Sequence, residues 1–228
     1  MEKLYFGNGN TKLQHGQRIF DLPAGHSCPF ALGCRASADR VTGKIKDGKQ
    51  AEIRCYAASL EGLRSQAREK RWDNFEILRK LKASKEMIAK IMEDLPFALI
   101  YRIHSSGDFF SQAYFDSWVK VAERHSESIF YAYTKAIPFW IKRIKNIPKN
   151  FILNASYGGK YDSLIKQFNL KSVQWVWSVE EAQALGLEID TDDTHAWRTP
   201  YSFAVLVHGA GKAGSAQARM QYAKARGI

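Results

Sequence analysis

The chain has 228 residues, of which 45% are hydrophobic and 13% aromatic, and it carries a formal net charge of +11. Enough apolar side chains are present to build a folded core, which excludes an intrinsically disordered chain. No apolar run approaches the roughly 18 residues of a membrane span, and the first ten residues lack a signal-peptide pattern, so we expect a cytoplasmic protein without membrane association. The positive charge makes nucleic acid a candidate partner, with ordinary solvating lysines as the alternative.

We predict a single α/β domain over residues 1–228, organised in three parts. Residues 1–58 form an N-terminal segment that contains the cysteines. Residues 59–95 form a helical insertion, and residues 96–228 form five βα units. This division is based on the order of the patterns along the chain. Apolar runs alternate with amphipathic ones only after residue 95.

The N-terminal segment begins with short apolar pairs among Gly and Asn, which predict small extended pieces. It then holds all three cysteines of the chain, Cys28, Cys34 and Cys55. A proline follows the first cysteine and glycines lie nearby, which favours a loop over a helix around Cys28 and Cys34. The polar residues 42–50 predict an exposed turn.

The helical insertion contains two predicted helices. Apolar residues partly at three-to-four spacing predict one helix from Ala57 to about Leu81. The second runs from Ser84 to Leu95, and Pro96 ends it.

After Pro96, apolar strands alternate regularly with helices. The predicted strands are PFALIYRIH, SIFYAYTK, FILNASYG, SVQWVWS and YSFAVLVHG. The predicted helices that follow them are SQAYFDSWVKVAERH, IPFWIKRIKNI, KYDSLIKQF, VEEAQALG and AGSAQARMQYAKARGI, and a polar loop, EIDTDDTHAWRTP, precedes the last strand. Such alternation is typical of parallel βα units. We therefore predict a partial or distorted (β/α) barrel with an N-terminal cysteine-bearing loop region, and an open doubly wound sheet is the alternative.

Polar side chains follow each predicted strand. In parallel β/α folds the carboxyl ends of the strands meet at one rim, where binding and catalytic groups gather. We therefore predict that a small-molecule ligand is bound there by His104, Ser106, Gly107, Asp108, Lys135, Asn154 and His208. The alternative is ordinary turn chemistry, which also places Ser, Gly and Asp after strands.

The loop after the last strand contains Gly209, Gly211 and Gly214 in the spacing of a dinucleotide-binding fingerprint. That fingerprint needs a further strand with an acidic residue about 20 positions on, and residues 215–228 are too few to supply it. Two interpretations of this loop remain: a helix N-terminus that binds an anion, or a plain glycine turn.

The three cysteines predict one metal centre. In a reducing compartment, clustered cysteines more often bind metal than form disulfides. The first candidate is a [4Fe–4S] cluster with one iron not held by cysteine, or else a [3Fe–4S] cluster. Zinc is an alternative, with His26 completing a set of three cysteines and one histidine. Buried thiols without metal are the third interpretation.

Several segments together resemble the phage "gene product eighty-eight" domain family. They occur in order from Leu22 to Ser215 and read LPAGHSCPFALGC, RCYAAS, RIHSSGDFFSQAYFDSW, YAYTK and SFAVLVHGAGKAGS. The resemblance implies a phage or prophage origin, and hence the host cytoplasm, with a poorly characterised function.

A looser similarity is to radical SAM proteins, which combine a partial β/α barrel with a three-cysteine [4Fe–4S] cluster whose open iron binds S-adenosylmethionine. Their usual motif is CxxxCxxC on one loop, whereas Ser37 and Ala38 carry no thiol here and the third cysteine lies far downstream. Gly107 and Asp108 would stand where such enzymes place a glycine-rich, acidic motif. This similarity implies a radical SAM-like enzyme. The alternative is a non-enzymatic nucleic-acid-binding or host-interaction protein with a structural or redox-sensing metal centre.

Overall fold

The structure, a computed structural model, describes residues 2–9, 13, 16–209, 211 and 215–218. The strands are β1 (Phe6–Asn8), β2 (Arg18–Phe20), β3 (Ala36–Ala38), β4 (Ile45–Asp47), β5 (Ile100–Ile103), β6 (Ile129–Thr134), β7 (Phe151–Ser156), β8 (Ser172–Val176) and β9 (Phe203–Leu206). The helices are α1 (Tyr56–Leu63), α2 (Ser65–Lys80), α3 (Ser84–Asp94), α4 (Gln112–Arg124), α5 (Ile137–Ile141), α6 (Asp162–Gln167), α7 (Val179–Ala184) and α8 (Thr194–Arg198).

The main sheet has seven strands in the order β1-β2-β5-β6-β7-β8-β9. Strand β1 pairs antiparallel with β2, and every other neighbouring pair is parallel. The mixed α/β class and the parallel βα units are therefore confirmed. The parallel strands are neighbours in chain order, so successive crossovers advance in one direction. The doubly wound alternative is wrong, because it requires a reversal of direction. Strands β1 and β9 are the edges, and strand pairing does not close a barrel over the described residues.

The two faces of the sheet pack against different layers. Along β6, Phe130 and Ala132 join the main core, which also contains buried apolar side chains of α2 to α5 and Ile165 of α6. Tyr131 packs on the opposite face with Ala196 of α8 and with Phe203. This alternation is the two-residue period of a strand, and it is why a central strand such as β6 is apolar on both faces.

Helix α4 shows how the sequence builds the main core. Ser111 precedes the helix, and its hydroxyl accepts a hydrogen bond from the backbone N–H of Tyr114, which satisfies one free donor of the first turn. Tyr114, Phe115 and Trp118 then fall on one face and are fully buried. Burial of large aromatic side chains of this kind contributes a few kcal/mol each, at roughly 25 cal/mol per Å².

Several predicted elements differ in the structure. The helix predicted from Ala57 to about Leu81 is two helices, because Arg64 adopts an extended conformation between α1 and α2. The stretch predicted as an exposed turn at residues 42–50 contains β4, which pairs with β3 in a small hairpin. Helix α8 lies in the predicted polar loop. The helix predicted after residue 137 divides into α5 and a short 3-10 helix at Ile144–Asn146.

The predicted closing helix lies mostly outside the described residues. Its described part, residues 216–218, is helical. No helix built from the described ranges combines the length and the apolar composition needed to cross a membrane.

Candidate functional site

The N-terminal segment folds over the carboxyl ends of the parallel strands. The backbone N–H of Leu22 donates to the carbonyl of Ser106, which follows β5, at 2.9 Å. The N–H of Gly33 donates to the carbonyl of Gly158, which follows β7, also at 2.9 Å. The cysteine-bearing segment is therefore held by backbone hydrogen bonds at the rim where the strand ends meet.

A tight turn leads into Cys28. The N–H and the hydroxyl of Ser27 both donate to the carbonyl of Pro23, at 3.1 and 2.8 Å. Gly25 lies within this turn at φ +71°, and a Cβ there would be 2.3 Å from the carbonyl oxygen of Ala36. Glycine is required because both the left-handed backbone and the close approach of the neighbouring strand exclude a side chain.

The three cysteines are free, partly buried thiols. Burial, and then the negative charges of Asp108, Cys55 and Cys34, raise the pKa of Cys28 well above its usual range. Burial and the charge of Cys34 raise the pKa of Cys55 to about 11. Each thiol thus lies within electrostatic reach of the other two. Thiolates gathered in this way repel one another unless a cation accompanies them.

The thiols do not form a ready site for a single ion. Within the part of the chain that the structure describes, no three His, Cys, Asp or Glu side chains are arranged to hold one metal ion. The predicted zinc partner, His26, has its Nε2 atom 3.1 Å from the carbonyl oxygen of Ala38. Its ring packs on Trp72 with the centroids 4.7 Å apart. The His26 side chain is therefore engaged by strand β3 and by α2.

Cys55 lies at the start of α1, immediately before its first residue. Its sulfur makes no capping hydrogen bond, but the backbone N–H groups of Ala58 and Ala57 are near enough to favour the thiolate. The positive end of a helix acts in the same direction. This placement partly offsets the burial that disfavours the charge on Cys55.

Glu61, on the same helix, is a buried acidic residue that the sequence analysis did not single out. Its side chain is fully buried, and Oε1 accepts hydrogen bonds from the N–H of Ala24 at 2.9 Å, the hydroxyl of Ser106 at 2.9 Å and Nη1 of Arg71 at 3.0 Å. The other oxygen, Oε2, has no hydrogen-bond partner among the described residues. Burial raises the pKa of Glu61, although Arg71 and these hydrogen bonds oppose the shift.

Arg71 joins Glu61 to Asp21. Its Nη2 atom is 3.0 Å from Oδ2 of Asp21, while Oδ1 of Asp21 accepts hydrogen bonds from the backbone N–H groups of Ser105 and Ser106. Burial opposes ionisation, yet the charge of Arg71 and the hydrogen bonds of the two serines together hold the pKa of Asp21 below its usual value. This ion-pair network fixes the loop after β5 against the N-terminal segment and α2.

Asp108 lies on this rim, where it links two strand ends. Its carboxylate accepts hydrogen bonds from the hydroxyl of Thr134 at 2.6 Å, the N–H of Lys135 at 2.8 Å and the N–H of Phe109 at 2.7 Å. Burial raises the pKa of Asp108. Lys135 in turn directs Nζ at the hydroxyl of Ser156, 2.6 Å away. Both predicted binding residues are thus engaged in bonds that join β5, β6 and β7.

Gly107 is closely covered by the N-terminal segment. It has φ +88°, and a Cβ at this position would be 2.5 Å from Oγ of Ser27 and 2.7 Å from Cβ of Leu22. The glycine is needed for close approach, as the sequence suggested, but the group that approaches is the protein's own chain. Ser106, the preceding residue, was also predicted to bind the ligand, and its hydroxyl donates a hydrogen bond to Glu61.

Two further predicted binding residues face the interior. His104 is buried with Nε2 2.8 Å from the hydroxyl of Tyr114, and burial lowers its pKa to about 3. Asn154 is fully buried and donates to the carbonyls of Ala132 and Ala196, at 3.2 and 3.0 Å. Their side chains stabilise the layers on either side of the sheet.

His208 is the predicted binding residue that remains exposed. Its ring packs on Tyr56 with the centroids 4.7 Å apart, and the hydroxyl of Tyr56 donates to the carbonyl of Ser105 at 2.5 Å. The strand ends after β5 and β9 are thus bridged by the first residue of α1. Gly214, the last glycine of the fingerprint-like pattern, lies outside the described residues.

A groove with a volume of about 610 Å³ lies beside β1, β2 and the start of α2. Asp21 and Arg71 contribute to its wall, as do the exposed cations Arg64 and Lys70. The ion-pair network therefore separates this groove from Ser106 and Glu61.

Comparisons with known proteins place the chain among phage proteins. The family model described as "Gene product 88" matches residues 3–225. The "Gene 88 protein" of Mycobacterium phage D29 is 33% identical over 90 residues, which are 36% of this chain and 38% of the relative. The "Gene 88 protein" of Mycobacterium phage L5 is 30% identical over 110 residues, 42% of this chain and 46% of the relative. The matched stretches thus span less than half of the length of these relatives. No solved structure matches the chain significantly.

Proposed function

The chain belongs to the Gene product 88 family, and on that premise we propose that it is a phage-type iron–sulfur protein whose cluster is held by Cys28, Cys34 and Cys55. One observation carries the proposal. Three free thiols from separate points of the chain lie beside the strand ends of a parallel sheet. The carbonyl of Gly33, which precedes Cys34, accepts a hydrogen bond at 3.0 Å from the N–H of Ile53, two residues before Cys55. This proposal would place the protein in the reducing cytoplasm of the host cell.

A cluster requires a different spacing of the thiols from a single ion. One ion needs its ligands gathered at one point, and no such group is present in the described part of the chain. Each thiolate of an iron–sulfur cluster binds a different iron, so the sulfurs stand farther apart. Three cysteines then give a [4Fe–4S] cluster with one iron not held by cysteine, or a [3Fe–4S] cluster.

The electrostatics of the thiols fit a cationic occupant. Burial and mutual repulsion raise the pKa values of Cys28 and Cys55, so the free protein holds these thiols protonated at neutral pH. Iron replaces those protons, because coordinating thiols are deprotonated by the charge of the metal. When bound, the cluster supplies one-electron chemistry. The residues of this chain supply the thiolates and the buried surroundings.

We do not extend the proposal to radical chemistry with S-adenosylmethionine. Gly107 is packed against Leu22 and Ser27, and Asp108 accepts three internal hydrogen bonds. The two residues that the similarity to radical SAM proteins assigned to a ligand are therefore already occupied by the protein itself.

Purification without oxygen, followed by iron and acid-labile sulfide analysis and EPR, tests the proposal. Serine variants of Cys28, Cys34 and Cys55 should each lose most of the iron. The matched control is Ser27→Ala, which changes a buried neighbour of Cys28 without removing a thiol and should keep it. An iron-free wild type, or cysteine variants with undiminished iron, would overturn the ligand assignment.

A further inference from the structure

The groove beside β1, β2 and the start of α2 is separate from the candidate metal centre. Its volume of about 610 Å³ lies within the roughly 300–1,000 Å³ of ligand-binding pockets, whereas a bare phosphate or a metal ion would leave most of it empty. The ion-pair network of Arg71 stands between this groove and Glu61. The groove is therefore a second candidate site, and the inference drawn from it does not rest on the proposed function.

The groove carries positive charge that no carboxylate of its lining neutralises. Arg64 and Lys70 are exposed on its wall, and neither forms an ion pair with a described residue. The acidic residue of the lining, Asp21, is already compensated, because its Oδ2 atom is 3.0 Å from Nη2 of Arg71. A groove with two free cations and a paired carboxylate favours an anionic ligand.

An exposed aromatic ring stands beside one of these cations. Tyr5 is 45% exposed, and Nζ of Lys70 is 3.9 Å from the centroid of its ring. The buried side chain of Asn74 holds the backbone of Tyr5 from both sides: it accepts from the N–H of Tyr5 at 2.7 Å and donates to its carbonyl at 2.9 Å. Leu63, 80% exposed, adds apolar surface to the same groove.

We propose that this groove binds single-stranded nucleic acid. Arg64 and Lys70 contact phosphates, and the ring of Tyr5 stacks on a base, which is the combination that single-strand-binding grooves use. A single strand is favoured over a duplex because a duplex keeps its bases stacked on one another. A strand is favoured over a free nucleotide because the formal charge of +11 attracts a polyanion beyond the groove itself.

Fluorescence anisotropy with the full chain tests this assignment. The probe is a labelled oligothymidylate of about 12 nucleotides, within the range of known single-strand site sizes. Tyr5→Ala should bind it at least about fivefold more weakly, the lower end of what one base–aromatic stack contributes. Arg64→Gln and Lys70→Gln should each reduce the slope of log K against log salt concentration by about 0.7, the value for one phosphate of a single strand.

Two variants outside the groove are the matched controls. Lys166→Gln removes an exposed cation from α6, and Tyr201→Ala removes a ring that is 75% exposed. Both should bind the oligonucleotide as the wild type does. Circular dichroism establishes that each variant is folded, and if Tyr5→Ala does not fold, the variants of Arg64 and Lys70 decide alone.

Several results would overturn the inference: a wild type that does not bind, an affinity insensitive to salt, or control variants that lose as much affinity as the groove variants. Competition separates the other occupants. Displacement of the oligonucleotide by a similar concentration of thymidine monophosphate would indicate a site for a free nucleotide, and displacement by polyglutamate of equal charge would indicate a site for any polyanion. Either result would also overturn the assignment to a nucleic-acid strand. All of these measurements are independent of iron content, so their failure leaves the proposed function unchanged.

Discussion

Replacing Arg71 by methionine should destabilise the protein by about 3–5 kcal/mol at neutral pH, the usual range for breaking a buried ion pair. The Arg71 side chain is 7% exposed and contacts Glu61, which is 0% exposed, and Asp21, which is 19% exposed. Methionine fills much of the aliphatic volume of arginine, so the loss comes chiefly from two carboxylates left without a counter-charge. Urea unfolding of both proteins at pH 7 measures the difference.

Lowering the pH should reduce the difference in unfolding free energy between Arg71→Met and the wild type. In the wild type, the pKa of Asp21 is held below 3.8, so its contribution to stability is present above that pH and is lost as the pH falls through the folded pKa. The pKa of Glu61 is raised above 4.5 by burial, and removal of Arg71 raises it further. Protonation of Glu61 therefore reduces the penalty in the variant as the pH falls from 7 towards 4.

The matched control is Arg79→Met. Arg79 is 53% exposed and is 3.4 Å from Glu76, so its loss should change stability by less than about 1 kcal/mol. A loss for Arg71→Met as small as this, or one of equal size at pH 7 and pH 4, would refute the reasoning that Arg71 compensates two buried charges.

Three further substitutions have expected outcomes. Gly107→Ala should destabilise the fold by clearly more than Gly186→Ala in thermal melts: both glycines have positive φ, which costs about 1 kcal/mol, but only Gly107 has atoms within 4 Å of the new Cβ. His104→Gln should flatten the pH dependence of the unfolding free energy between pH 6.5 and 3. Buried His104 stays neutral to about pH 3, whereas the same histidine in the unfolded chain binds a proton near pH 6.5. As the pH falls through this range, the wild type should therefore lose up to about 1.4 kcal/mol of stability per pH unit from this residue. Asp108→Ala should cost at least about 2 kcal/mol in urea unfolding, since it leaves three donors, including the hydroxyl of Thr134, without their acceptor.

Each of these three predictions has an outcome that would contradict it. Equal melting temperatures for the two glycine variants would mean that the N-terminal segment is not packed on Gly107. An acid profile unchanged by His104→Gln would show that His104 is accessible to solvent. Wild-type stability in Asp108→Ala would show that this carboxylate faces a ligand and not the ends of β5 and β6.

The βα units could be predicted from the sequence because their signals are local. Apolar runs bounded by Gly, Pro and Asn mark the strands from residue 96 onwards, and each predicted strand contains an observed one. Helix α8 was missed because five residues in an acidic loop show no helical period. The hairpin of β3 and β4 was missed for a similar reason, since two three-residue strands give no clear alternation.

The candidate site was predictable only in part. The rim at the strand ends follows from the parallel topology, and the cysteines were evident as the only thiols. Their neighbours were not, because Arg71 and Asp21 are 50 positions apart in the chain and Glu61 and Ser106 are 45 apart. Glu61 lies in a run of small and apolar residues, AASLEGL, and that position on α1 was the available signal for its burial.

The sequence by itself determined the mixed α/β class, the order of the strands after residue 95 and the family, since periodicity, turn residues and motif order are all local along the chain. Only the tertiary structure decided that predicted binding residues such as Asp108 and Asn154 make internal hydrogen bonds, and that Glu61 is buried against Ser106 and Arg71. Burial and charge depend on which distant segments pack together. The N-terminal segment crosses the strand ends, and that packing turns three separate cysteines into one candidate centre.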